Sequence, residues 1–471
     1  MEPILDPTKI GGPAPAASSA TGGTGEIPRI VVRPDGRALA AQIGLAGMLA
    51  LTLLVGLAAP ATRFLVPTGA PGTTVPDWIL GPLAAIDVPL TRTAFCLALV
   101  AMVACWALSV RGADTLPPRA ALVAIVGAHL VLLLAPPLLS TDVFTYLGWG
   151  RLDVIHGVNP YDFGPGVRPQ DPVFPWTGLL WTDTPTMYGP VFSALASAAG
   201  WLGPAGGLWT LKLLTASASL ACVWLTWSCA RALGRDPVRA SVMVGLNPIL
   251  LVFALGGAHN DLLMLALMLA GIRLVRARRD ALGGAAVAAA VAVKATGGLL
   301  LPFLVIGARG GRRRAVAGAV AALVAFGALG FALYGTGPLG VAGTILGATE
   351  DHIGELRSVP GILSAYSGLG PIGGAARIGL GALFLLALVG SLAWAVRRPD
   401  RWIAAAAAAT LALLLTATQL HPWYVVWTLP LAALSGDRRI RAAAIALTAI
   451  VVTIHVVRWL APLGINYPHG G

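Results

Sequence analysis

Between Leu139 and Pro190, five of the chain's twenty acids are interleaved with aromatic residues. The acids are Asp142, Asp153, Asp162, Asp171 and Asp183; among the aromatics are Tyr146, Trp149, Tyr161, Trp176, Trp181 and Tyr188. Carboxylates accept hydrogen bonds from sugar hydroxyls, and flat rings cover the C–H faces of a pyranose. The same composition suits a loop at a membrane surface, where Trp and Tyr settle at headgroup level. At about 100° per residue, Asp142, Tyr146, Trp149 and Asp153 share one helical face, and Phe144, Leu147 and Ile155 the other. Residues 142–156 are therefore expected as an amphipathic helix lying along the membrane. Ser140 or Thr141 would cap it, and Gly157 with Asn159 and Pro160 would end it. The helix dipole keeps an acid in the first turn ionised. Asp142 then reads either as a general base or as an ordinary helix-start residue.

Other polar groups stand out against apolar surroundings. Asp183 to Pro190 (DTPTMYGP) is stiffened by Pro185 and Pro190 and holds Tyr188 just before a helical run. Gly256-Gly257-Ala258-His259-Asn260-Asp261 reads as a tight turn between two apolar helices. Asn260 and Asp261 can cap the second helix, but a cap has no need of His259. Lys212 and Lys294 are two of only three lysines. An ionisable residue at membrane depth is costly and defaults to a functional hypothesis; either lysine could hold a lipid phosphate or snorkel to the headgroups. His421 precedes Pro422, Trp423 and Tyr424, as a site residue or as part of an aromatic anchor. No phosphate-binding glycine loop, HExxH, serine elbow or Cys/His zinc spacing is present. A nucleotide-driven pump and a zinc hydrolase are thereby disfavoured. No cofactor needs to be invoked; a divalent metal is compatible with the acids, but no ligand set is legible.

The elements that must position these groups are membrane helices. Of 471 residues, 57% are hydrophobic and 11% charged, and mean hydropathy is +0.80. A soluble domain carries roughly 25% charged residues. The chain is expected to be an all-α polytopic membrane protein. Candidate spans are 38–59, 93–110, 120–139, 206–230, 240–257, 261–275, 315–334, 378–396, 402–418 and 441–460, with 281–308 and 423–435 less regular. Seven arginine clusters hold 22 of the 32 basic residues, and short cytoplasmic loops collect such residues. Placing every cluster inside makes 281–308 a hairpin turning near Lys294 and 402–435 another turning at Gln419–Trp423. The count becomes about thirteen crossings. The excess of 12 positive charges is then explained by topology, and no nucleic-acid partner is expected. Residues 1–37 are expected as a disordered cytoplasmic tail and 38–460 as the transmembrane domain. Within that domain, 140–205 is an outer catalytic loop and 335–377 a second outer loop; 461–471 is an outer tail. Nearly all the unusual polar residues fall on the outer face. The four cysteines lie in apolar runs without paired spacing, so no disulfide framework is expected.

Five motifs occur in one order: TDVFTYLGWGRLDVIHGVNPYDFGP, DTPTMYGPVF, LNPILLVFALGGAHNDLLM, AVAVKATGGLLLPFLV and LHPWYVVWTLPLAA. Over roughly residues 120–435 the chain resembles the actinobacterial polyprenol-phosphomannose-dependent α-1,6-mannosyltransferases, members of the family-C membrane glycosyltransferases. The resemblance implies the family-C fold, a bacterial plasma membrane location and an extracytoplasmic active site. It also implies a polyprenyl phosphomannose donor and a mannan glycolipid acceptor, that of lipomannan and lipoarabinomannan. An acid in an outer loop acts as the base, and Asp142 is the matching position. In much of the wider class that acid follows the first span, whereas Asp142 follows the third; Asp77 and Asp87, in the first outer loop, remain rivals. On this reading Lys294, Lys212 and His259 would stabilise the departing phosphate. Asp153, Trp149, Tyr146, Asp183, Tyr188, Asn260, Asp261 and His421 would shape the sugar sites. A transferase for another lipid-linked sugar such as arabinose shares these features. A lipid-linked sugar flippase predicts inverted repeats and midplane polar sites, which are not seen.

Overall fold

The computed structural model describes residues 36–67, 74–350, 358–369 and 372–460. The expected tails lie outside the described residues, except that Gly36 and Arg37 already belong to the first helix. Among the described residues every regular element is helical, as lipid demands: only a helix satisfies its backbone polar groups within one segment. The first elements are α1 (Gly36–Ala58), the single turn α2 (Asp77–Leu80), α3 (Arg92–Arg111), α4 (Pro118–Leu134), α5 (Asp142–Val154), α6 (Pro190–Gly200) and α7 (Gly203–Ala232). Next come α8 (Pro237–Gly245), α9 (Asp261–Arg276), α10 (Asp280–Val293), α11 (Leu301–Gly307) and α12 (Arg312–Tyr334). The chain ends with α13 (Val341–Glu350), α14 (Val359–Tyr366), α15 (Gly374–Arg397), α16 (Trp402–Thr416), α17 (Leu429–Ser435) and α18 (Arg438–Leu460).

Six helices, α1, α3, α7, α12, α15 and α18, are long and apolar enough to cross a membrane alone. A seventh candidate is α8 taken with the π-helical segment Ile249–Leu255, bent by 47°. The expected span 240–257 is thus broken. Asn247 Oδ1 accepts the N–H groups of Ile249 and Leu250 at 2.9 and 3.1 Å, and Pro248 interrupts the helical ladder. The other expected spans appear as shorter helices. The interval around Lys294 breaks where expected: α10 stops at Val293, Lys294 is extended, and a 3-10 stretch Ala295–Leu300 leads into α11. Gly297 and Gly298 weaken the helix there, and Pro302 restarts it. Most of the apolar surface of α12 and α15 is left uncovered by the rest of the chain. The four cysteines are free.

The expected amphipathic surface helix needs correction. α5 forms and begins at Asp142, but Val143–Leu152 are all buried, on both faces. Helical periodicity reveals that two faces differ in polarity; it does not reveal what covers the polar one. Here the loop after α5 folds back over it. Trp149 Nε1 donates to the Thr184 carbonyl at 3.0 Å, and Trp176 packs on Phe144 from the other side. Arg151 Nε reaches both oxygens of Asp171 at 3.0 Å, and His156 Nε2 lies 2.7 Å from Asp171 Oδ2. Ser140 Oγ accepts the Asp142 N–H at 3.2 Å, whereas the Thr141 side chain makes no cap.

Some of the arginine clusters lie against one another. Arg37 and Arg239 share Asp114 at 2.9 and 2.7 Å, and Arg278 Nη1 donates to the Arg309 carbonyl at 2.9 Å. The loop after α5 also meets the end of α12: Asn159 Nδ2 donates to the carbonyl of Tyr334 at 3.1 Å.

Candidate active site

Two strained turns bring the site together. Leu139 and Ala258 adopt left-handed backbone angles, φ 59° and 55°, costing about 1–2 kcal/mol each for a residue with a Cβ. Strain of this kind persists where surrounding structure enforces it, often at functional sites. A backbone bond, Leu138 N–H to Gly256 C=O at 2.9 Å, ties the turns together. One leads into Asp142, the other into His259.

His259 Nδ1 comes to 3.3 Å from Asp142 Oδ2, at an angle outside hydrogen-bond alignment. Tyr146, one turn along α5, donates its hydroxyl to the same Oδ2 at 3.4 Å, and Tyr188 donates in turn to Tyr146 at 3.4 Å. These contacts all use Oδ2 and leave Oδ1 for another partner. Burial works against the charge on Asp142. The adjacent His259 imidazole and the fields of His421 and Lys294 outweigh it and hold the carboxyl below the usual carboxylate range.

Lys294 forms the second half. Its Nζ contacts both oxygens of Asp261 at 2.9 Å, within a cage of rings: Tyr424 at 4.9 Å, Tyr188 and Trp427 at 5.6 Å. Trp427 Nε1 donates to Asp261 Oδ1 at 2.7 Å. An ammonium has three donors; with two given to Asp261, one remains. The aromatic cage favours a cation on its ring faces, and Asp261, fully buried, requires one.

Trp423 joins the halves. It stacks on His259 with centroids 3.6 Å apart and on His421 at 4.5 Å. A small pocket opens beside Asp142, lined by Tyr146, Trp149, Trp181, Met187 and Tyr188. Its free volume is about 10 Å³, the space of one water, so a hexose can sit there only if a wall shifts.

Of the residues singled out in the sequence, Asp142, His259, Lys294, Tyr146, Tyr188, Asp261 and His421 converge, and Trp149 lines the pocket. Asn260 is buried beside His259 with both amide atoms unpartnered, and neither Asn260 nor Asp261 caps α9 with its side chain. Three residues lie elsewhere. Asp153 shares the face of Asp142 but stands about 16 Å along the helix, where it accepts from Ser197 at 2.6 Å. Asp183 is exposed. Lys212 is buried and donates to the Leu132 carbonyl between α7 and α4, at 3.1 Å. The rivals Asp77 and Asp87 are exposed. Trp423 and Tyr424 read from the sequence only as aromatic anchors beside His421, and Trp427 carried no reading; the signal for all three is their density in HPWYVVW. Among the described residues no group of three or more His, Cys, Asp or Glu could hold a metal ion.

The family described as "Alpha-(1->6)-mannopyranosyltransferase, N-terminal domain" matches residues 41–309, and "MptB C-terminal domain" matches 359–458. The chain belongs to the α-(1→6)-mannopyranosyltransferase family. It is 31% identical to alpha-(1->6)-mannopyranosyltransferase A of Mycobacterium tuberculosis over 69% of this chain and 67% of that protein. It is 30% identical to the Corynebacterium glutamicum protein of the same name over 37% of this chain and 36% of that one. With alpha-(1->6)-mannopyranosyltransferase B of C. glutamicum it shares 26% identity, over 64% of this chain and 56% of the other. No solved structure matches. The site draws on both matched regions of this family: Asp142, His259, Asp261 and Lys294 lie in the first, and Trp423, Tyr424 and Trp427 in the second.

Proposed function

We propose that this chain is an inverting glycosyltransferase. It would move mannose from polyprenyl phosphomannose to an α-1,6-mannan acceptor at the extracytoplasmic face of the plasma membrane, through a family-C fold of about thirteen crossings. The observation that carries the reading is the Asp142 carboxylate: on a pocket wall, approached at Oδ2 by His259 and Tyr146 and unengaged at Oδ1, in a chain of this family.

The chemistry then follows from the groups present. An acceptor hydroxyl approaches Asp142 Oδ1. Its oxygen bonds to the anomeric carbon while its proton passes to the carboxylate. The bond from that carbon to the phosphate oxygen breaks with its electron pair, and polyprenyl phosphate departs. Lys294 holds one N–H beyond its bonds to Asp261, and that donor would meet the developing phosphate charge. His259 and Tyr146 would keep the carboxylate oriented. Trp149, Trp181 and Tyr188 would offer ring faces to the sugar. No step calls for a metal or an organic cofactor.

The test is transfer from radiolabelled polyprenyl phosphomannose to a short α-1,6-mannoside by wild type and Asp142→Asn. Wild type is expected to transfer, with the variant folded and slower by about 10²–10⁴-fold. A variant that retains activity would move the base elsewhere. A wild type that ignores this donor and uses lipid-linked arabinose would correct the sugar.

A further inference from the structure

At the far end of the helices from Asp142 lies a second cavity, of about 210 Å³. At roughly 30 Å³ per water, that is room for several waters. It sits where the turn between α7 and α8 meets the turn between α17 and α18, and is lined by Arg235, Asp236, Arg239, Arg438 and Arg441. Four guanidinium groups thus face one carboxylate. That carboxylate is already engaged: Arg239 reaches Asp236 at 3.7 Å and Asp114 at 2.7 Å. Asp437, next along the chain, accepts the N–H groups at the start of α18 instead. Among the described residues, the guanidiniums of Arg235, Arg438 and Arg441 have neither a hydrogen bond nor an ion pair.

A preference for arginine in cytoplasmic loops explains why these residues are on this side. It does not explain why they converge on a cavity with their counter-ions spent elsewhere. Gly436 makes one approach possible. Its φ is 69°, and a Cβ there would collide with the Arg235 guanidinium, so the guanidinium lies against bare backbone. α8 and α18 also begin at this cavity, adding the positive ends of their dipoles.

We infer that this cavity binds a phosphate group. Guanidinium forks match phosphate oxygens bidentately. Met243 and Ala433 add apolar lining, which suits the phosphodiester headgroup of an anionic phospholipid. Soluble phosphate presents the same oxygens, and the arms of the test separate the two. The site is independent of the proposed transfer reaction.

The test places the full chain in phosphatidylcholine nanodiscs and follows Tm. One arm titrates inorganic phosphate against chloride at equal ionic strength. The other replaces a fraction of the lipid with phosphatidylglycerol and counts retained phosphatidylglycerol by native mass spectrometry. Wild type is expected to gain Tm and retain lipid in the second arm. Arg235→Gln/Arg441→Gln should lose both responses, with affinity down about 25-fold, roughly fivefold per arginine. Arg312→Gln/Arg313→Gln, in another basic loop, should behave as wild type. A Tm gain with inorganic phosphate alone, lost in the same double variant, keeps the site and makes its ligand soluble. Equal responses in wild type and the cavity variant, or equal losses in the two double variants, would overturn the proposal. Should the cavity variant not fold, Arg438→Gln, exposed at the rim, carries the same comparison with a fivefold loss.

Discussion

The indole N–H of Trp427 donates to Asp261 Oδ1 at 2.7 Å across 166 residues of chain, and this bond joins the two parts of the site. Trp427 also stacks on Tyr424 at 4.3 Å, and both rings face Lys294. Trp427→Phe keeps a ring over the ammonium and removes the donor from a buried carboxylate. The expected loss is about 1.5–3 kcal/mol of stability, the scale of a hydrogen bond to a charged group, with slower transfer. Thermal unfolding in detergent and steady-state kinetics read the two effects. An unchanged Tm would show that the indole N–H contributes nothing.

The Lys294–Asp261 pair separates a structural role from a functional one. Lys294→Met leaves the Asp261 carboxylate buried with its cation gone, which costs about 3–5 kcal/mol. Adding Asp261→Asn removes the orphan charge, so the double variant should recover much of the Tm. It should not recover transfer, because the departing phosphate still lacks its ammonium. Recovery of both would make the pair a fold device only.

These two side chains also mark what was legible in the sequence. Lys294 stood out because a lysine in an apolar run is costly, and the helix break around it followed from Gly297 and Gly298. For Asp261 the local pattern offered a helix cap beside a sugar-site role, whereas its carboxylate bonds Lys294, just past the end of α10. Asp153 failed for a similar reason: the helical wheel puts it on the face of Asp142 but discards the rise along the axis. Local periodicity could not foresee that the loop from Gly157 to Gly189 covers α5. Trp423 and Tyr424 read as aromatic anchors because the groups they pack on, His259 and Lys294, arrive from turns far away in the chain. The apolar, helical character was legible, since it depends on composition along each segment rather than on contacts between segments.

Asp171 should make the cover over α5 acid-sensitive. Burial raises its carboxyl, but Arg151, His156 and the Val173 N–H outweigh burial and hold it below the ordinary value. A depressed folded-state value means that the stabilisation is fully present above the unfolded carboxylate value of about 3.9. It is lost as pH falls through the folded value. Wild-type Tm should therefore drop steeply below about pH 4. Asp171→Asn should start lower at neutral pH and fall less steeply. Parallel curves for the two proteins would remove Asp171 as the cause.

Gly189 fixes where Tyr188 stands. Its N–H donates to the Val293 carbonyl at 3.1 Å, and a Cβ at this position would collide with the Ala292 carbonyl oxygen. That backbone contact sets α6 against the end of α10, one residue before Lys294. Tyr188 is thereby held over the ammonium and within reach of Tyr146, in the chain of hydroxyls that ends on Asp142. Gly189→Ala must part the two backbones, costing about 1–3 kcal/mol as overpacking does. A shift of about 1 Å at the site is enough to slow transfer on the order of 100-fold. Tyr188→Phe, which removes the hydroxyl and leaves the ring in place, should slow it far less. The comparison is made on folded protein, with kcat measured alongside Tm. If Gly189→Ala lowers Tm while kcat per folded molecule stays at the wild-type value, the placement of Tyr188 is a packing detail rather than part of the site.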